Sequence, residues 1–429
     1  MNLIHALLFV WLGSLPPPLV QALRAARSRN HSLRVSRAQL AEQEAAAQQA
    51  LAALLPTLQA SGGYTRNQYD AIFTVPNALL GRGAGTSSLT IQPYDQWNGA
   101  VGIVAPLFDG TRLFGEAEAR RGRDAARHVE RATEAEVALA TARAYYQVVA
   151  SQGIVDASVR ALATAQDSLR VAEAMLKSGS ATRLSVDRAR VDLERAGKQL
   201  ASARQGLGLA RRNLETLTGE PAPEALPAPG EPDLPALPEA AFVEKAERER
   251  EEVAEGRESV ARAEDALRAA WARFLPTLSA AAHEYYTNAP GFLPSDNFWT
   301  AGVSLGWSLD PFGTSAAIKQ ARAAVEEQRE RLAETEDAVR DEVHSSWLEI
   351  EADRAQLVAA VAESASARDA LELTQTQFRS GTATSLDVSQ ASRDSFSADA
   401  SLAQSRAGLA AALLSLEKAS GQPLLEESP

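Results

Sequence analysis

Along this 429-residue chain the apolar positions follow two periods, one helical and one of two residues. In Trp299-Thr300-Ala301-Gly302-Val303-Ser304-Leu305-Gly306-Trp307-Ser308-Leu309 the odd positions are apolar and the even ones small or polar. That alternation predicts a strand with one greasy and one wet face. Trp97, Gly99, Val101, Ile103, Ala105 and Leu107 repeat the trend, and Leu58, Ala60, Gly62 and Tyr64 alternate with Gln59, Ser61, Gly63 and Thr65. A fourth, weaker strand is read from Leu278 to Tyr286. Strands are thus expected at about 57–70, 97–109, 277–287 and 298–309, each of roughly the 9–13 residues with which a tilted strand crosses a bilayer. Tyr64, Tyr69, Trp97, Tyr285, Phe298 and Trp299 fall near strand ends, where an aromatic girdle would lie.

The helical period takes over between and after the strands. Residues 19–55 and 238–275 are rich in Ala, Glu and Arg and stop at Pro56 and Pro276, since proline ends a helix at the residue before it. No proline occurs from about Thr111 to Ser178 or from Thr314 to Ser380, and each stretch would run roughly 100 Å at 1.5 Å per residue. In the second, Ile318, Val325, Leu332 and Val339 recur every seven residues. Val343, Ile350, Leu357, Ser364, Leu371 and Phe378 then continue in a register moved by four, a coiled-coil stutter. Val148, Val155, Leu162, Leu169 and Leu176 match the later register in the first stretch. At Gly179 and Gly381 the helices reverse, each glycine following a cation in the last turn, Lys177 or Arg379. The next helix opens on Thr384-x-x-Asp387, a capping-box spacing, echoed by Thr182-x-x-Ser185.

The chain reads as one unit written twice. A shift of 202 positions carries Ser178-Gly179-Ser180-Ala181-Thr182 onto Ser380-Gly381-Thr382-Ala383-Thr384, Trp97 onto Trp299, and Tyr145 onto Trp347. A shift of 220 carries Leu55-Pro56-Thr57-Leu58 onto Leu275-Pro276-Thr277-Leu278, the difference being a longer first loop. The expected organisation is a signal peptide over residues 1–15, a first repeat over 16–219 with its tip at 178–182, a proline-rich linker over 220–238, and a second repeat over 239–429 with its tip at 380–384. The apolar run Leu3 to Leu12 carries the signal-peptide reading, being too short to span a bilayer as a helix. The glycine run Gly81-Arg82-Gly83-Ala84-Gly85 lacks the Lys-Ser/Thr of a phosphate cradle and reads as a flexible extracellular loop.

Charge and composition then remove other classes of function. Net charge is −12 with both signs interspersed, so no basic face is offered to nucleic acid. Cysteine is absent, and His5, His31, His128, His283 and His344 are scattered without ligand spacing. No metal, cofactor or catalytic constellation is therefore expected.

The repeated tips, Ser-Gly-x-Ala-Thr-x-Leu-x-Val-x-x-Ala at 178–189 and 380–391, resemble the periplasmic hairpin turns of the TolC-like outer-membrane efflux proteins. The Leu-Pro-Thr-Leu corners at 55–58 and 275–278 and Leu107-Phe108-Asp109-Gly110 extend the resemblance over residues 16–425. It implies a mainly α fold with transmembrane β: long helical hairpins forming a periplasmic tube, and four strands per protomer in a trimeric twelve-stranded barrel of the bacterial outer membrane. Strand arithmetic agrees, because four strands cannot close a barrel and eight is the usual minimum. The resemblance further implies a passive, non-enzymatic exit duct for a tripartite efflux pump or type I secretion system. Its partners would be outer-membrane lipid, a periplasmic adaptor (membrane fusion) protein and an inner-membrane pump. The expected docking residues are Gly179, Ala181, Thr182, Leu184 and Val186 of the first tip and Gly381, Ala383, Thr384, Leu386 and Val388 of the second. Phe378, Asp387, Gln390 and Ser185 are the expected pore-constriction residues. Relatives that lock the tube shut pair an arginine with an aspartate where this chain has Ala383 and Ser185, so closure by packing is expected instead. The competing architecture is a periplasmic coiled-coil adaptor or scaffold carrying a small soluble hairpin.

Overall fold

The computed structural model describes residues 15–77, 83–230, 237–291, 293 and 295–424. Residues 1–14 of the expected signal peptide, Gly81 and Arg82 of the glycine run, and Pro232 and Pro235 of the linker lie outside the described residues. The elements are α1 (Pro17–Arg29), α2 (His31–Ala52), β1 (Thr57–Arg66), β2 (Ala71–Pro76), β3 (Thr86–Gln92), β4 (Asp95–Phe108), α3 (Gly110–Lys177), α4 (Arg183–Thr218), α5 (Glu239–Glu249), α6 (Glu251–Ala272), β5 (Thr277–Thr287), β6 (Asn297–Gly306), α7 (Pro311–Arg379) and α8 (Ser385–Ala419). The chain divides into two compact units. One holds the chain up to Leu40, Arg127–Glu255 and the chain from Leu332 onward; the other holds Ala41–Ala126 and Gly256–Arg331.

The second unit contains an antiparallel sheet in the order β1-β4-β5-β6, which leaves β1 and β6 as its edges. A separate antiparallel pair, β2 with β3, occupies part of the loop that the glycine run marked as flexible. Each long helix leaves the sheet through a local cap. Asp109 Oδ1 accepts from the backbone N–H of Thr111 at 3.0 Å and of Arg112 at 3.2 Å, and Asp310 Oδ1 accepts from Gly313 N–H at 2.9 Å.

In the first unit the two repeats build matching apolar clusters. One gathers Leu19, Leu23, Tyr145, Val148, Leu214 and Leu414, and the other Phe242, Ala246, Val343, Ile350, Leu413 and Leu416, with Trp347 packed against it. Each fully buried Leu, Val or Phe contributes about 1.5–3 kcal/mol over its exposed state. The stutter in α7 lies on the buried face: Val339 and Val343, the last residue of one register and the first of the next, are both buried.

Each expected opening helix is broken, at Asn30 and at Arg250, positions that correspond under the 220-residue shift. Asn30 Oδ1 accepts from the N–H of Ser32 at 2.9 Å, and its Nδ2 donates to Leu217 O at 3.2 Å. Arg250 Nη1 donates to Ala419 O at 3.2 Å. Leu217 and Ala419 correspond under the 202-residue shift. The same tertiary bond to the last turn of α4 or α8 thus holds both breaks, and neither needs proline or glycine.

Candidate functional site

Both tips are closed by the same backbone device. Gly179 has φ 77° and Gly381 φ 82°, the left-handed region that glycine reaches without a Cβ penalty. Gly179 N–H donates to Leu176 O at 3.1 Å and Ser180 N–H to Met175 O at 2.9 Å; Gly381 N–H donates to Phe378 O at 3.0 Å and Thr382 N–H to Gln377 O at 2.9 Å. These pairs are Schellman closures. Thr182 Oγ1 then accepts from Ser185 N–H at 3.3 Å to start α4. At α8 the box is complete: Thr384 Oγ1 accepts from Asp387 N–H at 3.3 Å, and Asp387 Oδ2 accepts from Thr384 N–H at 2.7 Å.

The two tips expose the same positions. Leu184 is 57% exposed and Leu386 53%, and Gly179, Thr182, Gly381 and Thr384 are exposed around them. Ala181 and Ala383 are half-buried. Val186 and Val388 turn inward into one cluster with Ala172, Ala189 and Phe378, so these two valines hold the tips together and offer little to a partner. Phe378 is only 6% exposed. Its ring packs the second hairpin against the first. Asp387 and Gln390 are exposed and share a shallow groove with Glu363 and Asp394, Gln390 Nε2 donating to Asp394 Oδ1 at 2.9 Å; Ser185 is half-buried.

Two polar links between the hairpins carry no signal in the sequence. Arg379 Nη2 lies 3.0 Å from Asp167 Oδ2, and Arg170 pairs with the same carboxylate. Asp399, buried in α8, takes Arg160 of α3 at 2.7 Å, Arg368 of α7 at 2.7 Å and the Ser364 hydroxyl at 2.8 Å. Burial raises the pKa of Asp399, and its hydrogen bonds to Arg160, Ser364 and Arg368 more than offset this, holding it below the usual carboxylate range. The Asp387 carboxyl is likewise held low, first by the Thr384 backbone N–H and then by the Thr384 hydroxyl. A depressed folded pKa means that this cap is fully present above the unfolded value, about 3.9, and is lost as pH falls through the folded one.

The sheet supplies the other half of the site. Directly paired residues share a face, so the register sorts the side chains without ambiguity. One face carries Leu58, Tyr64, Trp97, Val101, Ile103, Tyr286, Trp299, Val303 and Leu305, with Glu284 paired between Val101 and Trp299 and Arg66 paired with Asp95 at the Tyr64 end. Trp299 is 73% exposed, Leu305 70% and Val303 66%, so this apolar surface has no partner within the protomer. The opposite face carries Gln59, Ser61, Thr65, Gln96, Asn98, Thr300 and Ser304. Tyr285 and Phe298 fall on this second face, which removes them from the expected girdle; Tyr286 replaces them on the first. Among the described residues no helix is long and apolar enough to cross a membrane.

The family described as outer membrane efflux protein matches residues 22–220 and 242–422, one segment on each side of the linker. No curated protein sequence matches the chain. Among solved structures, the outer-membrane channel OprN is 18% identical, with a TM-score of 0.79 over 96% of this chain and 91% of its own. The CmeC outer membrane channel of Campylobacter jejuni is 16% identical, with a TM-score of 0.79 over 96% of this chain and 87% of its own. The MtrE outer membrane channel of Neisseria gonorrhoeae, solved in its open state, is 22% identical, with a TM-score of 0.77 over 95% and 90%. At these identities the likeness is one of fold.

Proposed function

The chain belongs to the outer membrane efflux protein family, and from that membership we propose that it is the channel subunit of a homotrimeric exit duct serving a tripartite efflux pump or type I secretion system. It is a non-enzymatic transport protein of the outer membrane. The observation that carries the finer reading is the sheet: four strands, two open edges, one exposed apolar face and one polar face. In a bilayer unpaired strand edges cost several kcal/mol per group, and neighbouring copies would satisfy them by closing twelve strands around a lumen. The polar face would then line the lumen. A folded monomer by light scattering in detergent would overturn the assembly.

The helical tips would dock a periplasmic adaptor coupled to an inner-membrane pump. Matched, exposed Leu184 and Leu386 support this, because two leucines held outward at corresponding turns do nothing for the protomer's own core. Leu184→Glu combined with Leu386→Glu should abolish export in cells that depend on this channel while leaving the trimer yield unchanged. Retained export would sink docking through these residues.

At the aperture, Asp387 would contribute one carboxylate per protomer. Asp387→Asn is expected to reduce the cation selectivity of the reconstituted channel and its block by trivalent cations, with little change in thermal stability. A residue serving only as the α8 cap would give the opposite pattern: faster amide exchange in the first turn of α8, with selectivity and block unaltered.

A further inference from the structure

The polar face of the sheet has one feature that the barrel does not require. His283 and Tyr285 on β5 and Phe298 on β6 form a ladder of rings: Tyr285 and Phe298 are directly paired and stacked, 5.2 Å between centroids at 19°, and His283 lies 5.8 Å from Tyr285. The His283 ring spreads over Gly102 so closely that a Cβ there would sit 2.0 Å from Nδ1. All three rings are half-exposed. Otherwise this face carries no Asp, Glu, Lys or Arg at any paired position.

The repeat supplies the control. Under the shifts that align the two halves, His283, Tyr285 and Phe298 correspond to Gly63, Thr65 and Gln96. Thr65 and Gln96 pair in the same way as Tyr285 and Phe298. The first hairpin thus folds and pairs without any ring on this face, so rings here are not a condition of the sheet. Three half-exposed rings on a wall whose paired positions hold no Asp, Glu, Lys or Arg are a recognition surface. Ring faces attract cations and stack on flat aromatic groups, and neither a lysine nor an arginine lies on the wall to repel such a ligand.

We propose that His283, Tyr285 and Phe298 form a contact site on the wall of the duct for aromatic organic cations, one site per protomer. This rests on the reading of the polar face as the lumen. A conduit needs sites that bind weakly enough to release, and an open shelf of rings has that character where an enclosed pocket would not.

The test is block of the reconstituted channel in a planar bilayer by tetraphenylphosphonium added on the barrel side, with tetraethylammonium as a cation of equal charge and no ring. The wild-type chain is compared with Tyr285→Thr/Phe298→Gln, which installs the first repeat's own residues, and with Tyr285→Leu/Phe298→Leu, which keeps apolar bulk in the strands. The expected result is a half-blocking concentration of tetraphenylphosphonium about tenfold higher in whichever double variants insert, with tetraethylammonium block unchanged. Equal half-blocking concentrations in a functioning channel would overturn the contact site and leave the channel reading standing. Absence of any conductance from the wild-type chain would overturn both.

Discussion

Val303→Arg is expected to lower the equilibrium constant for trimer assembly by about one to three orders of magnitude for each protomer that carries it, whereas Ser304→Arg, one residue along the same strand, is expected to be tolerated. Val303 pairs with Ala280 on the apolar face and is 66% exposed in the protomer. It sits between Ala301 and Leu305, away from the Trp299 end where a long side chain could reach the headgroups. A charged residue on the lipid face near the midplane costs about 2–4 kcal/mol, and each 1.4 kcal/mol is tenfold in an equilibrium constant. Ser304 pairs with Ser279 on the other face, their hydroxyls 2.8 Å apart, and an arginine there would meet water. Folding into phospholipid vesicles, read as the fraction of detergent-resistant trimer across a denaturant series, compares the two. Equal losses would show that the faces are not lipid and lumen.

The contrast between these two neighbours was legible in the sequence, because a period of two needs only a count along one strand. What sits across from each residue was not. Phe298 occupies an even position in a strand whose apolar residues are odd, so its parity already argued against the girdle. Tyr285 gave no such warning, since Ala280, Ala281 and Ala282 blur the alternation of β5. The β2–β3 pair was hidden by the glycines between its strands. The breaks at Asn30 and Arg250 left no local mark, because the bonds that hold them come from Leu217 and Ala419, far along the chain. Hydropathy also misplaced the tightest line of α3: Ser151, Ser158, Ala165 and Ala172 recur every seven residues and are buried, whereas Leu169 is half-buried and Leu176 exposed. Small residues carry little hydrophobic weight, yet they let helices approach closely, as Gly153 does where a Cβ would come within 2.6 Å of Ala403 Cβ.

Phe378 carries two expectations. Its heptad position predicted a seam residue, while the resemblance to relatives assigned it to the aperture; the ring is buried against Val186 and Ala189 of the other hairpin. Phe378→Ala should therefore cost about 3–5 kcal/mol of local stability, the range for emptying a buried aromatic site, and Phe378→Leu markedly less because apolar bulk is retained. The informative readout lies on the first hairpin, which the substitution does not touch. Amide exchange in α4 around Val186 and Ala189 should accelerate in Phe378→Ala and stay near wild type in Phe378→Leu, because the lost contacts are between hairpins. A ring that instead lined the aperture would leave that exchange unchanged and raise conductance in both variants. Closure in this chain, which has Ala383 and Ser185 in place of the arginine–aspartate pair, would then depend on how tightly this cluster and the Arg379–Asp167 pair hold the two tips together. Loosening the cluster by Phe378→Ala should accordingly increase the frequency of spontaneous openings in a bilayer as well as the exchange.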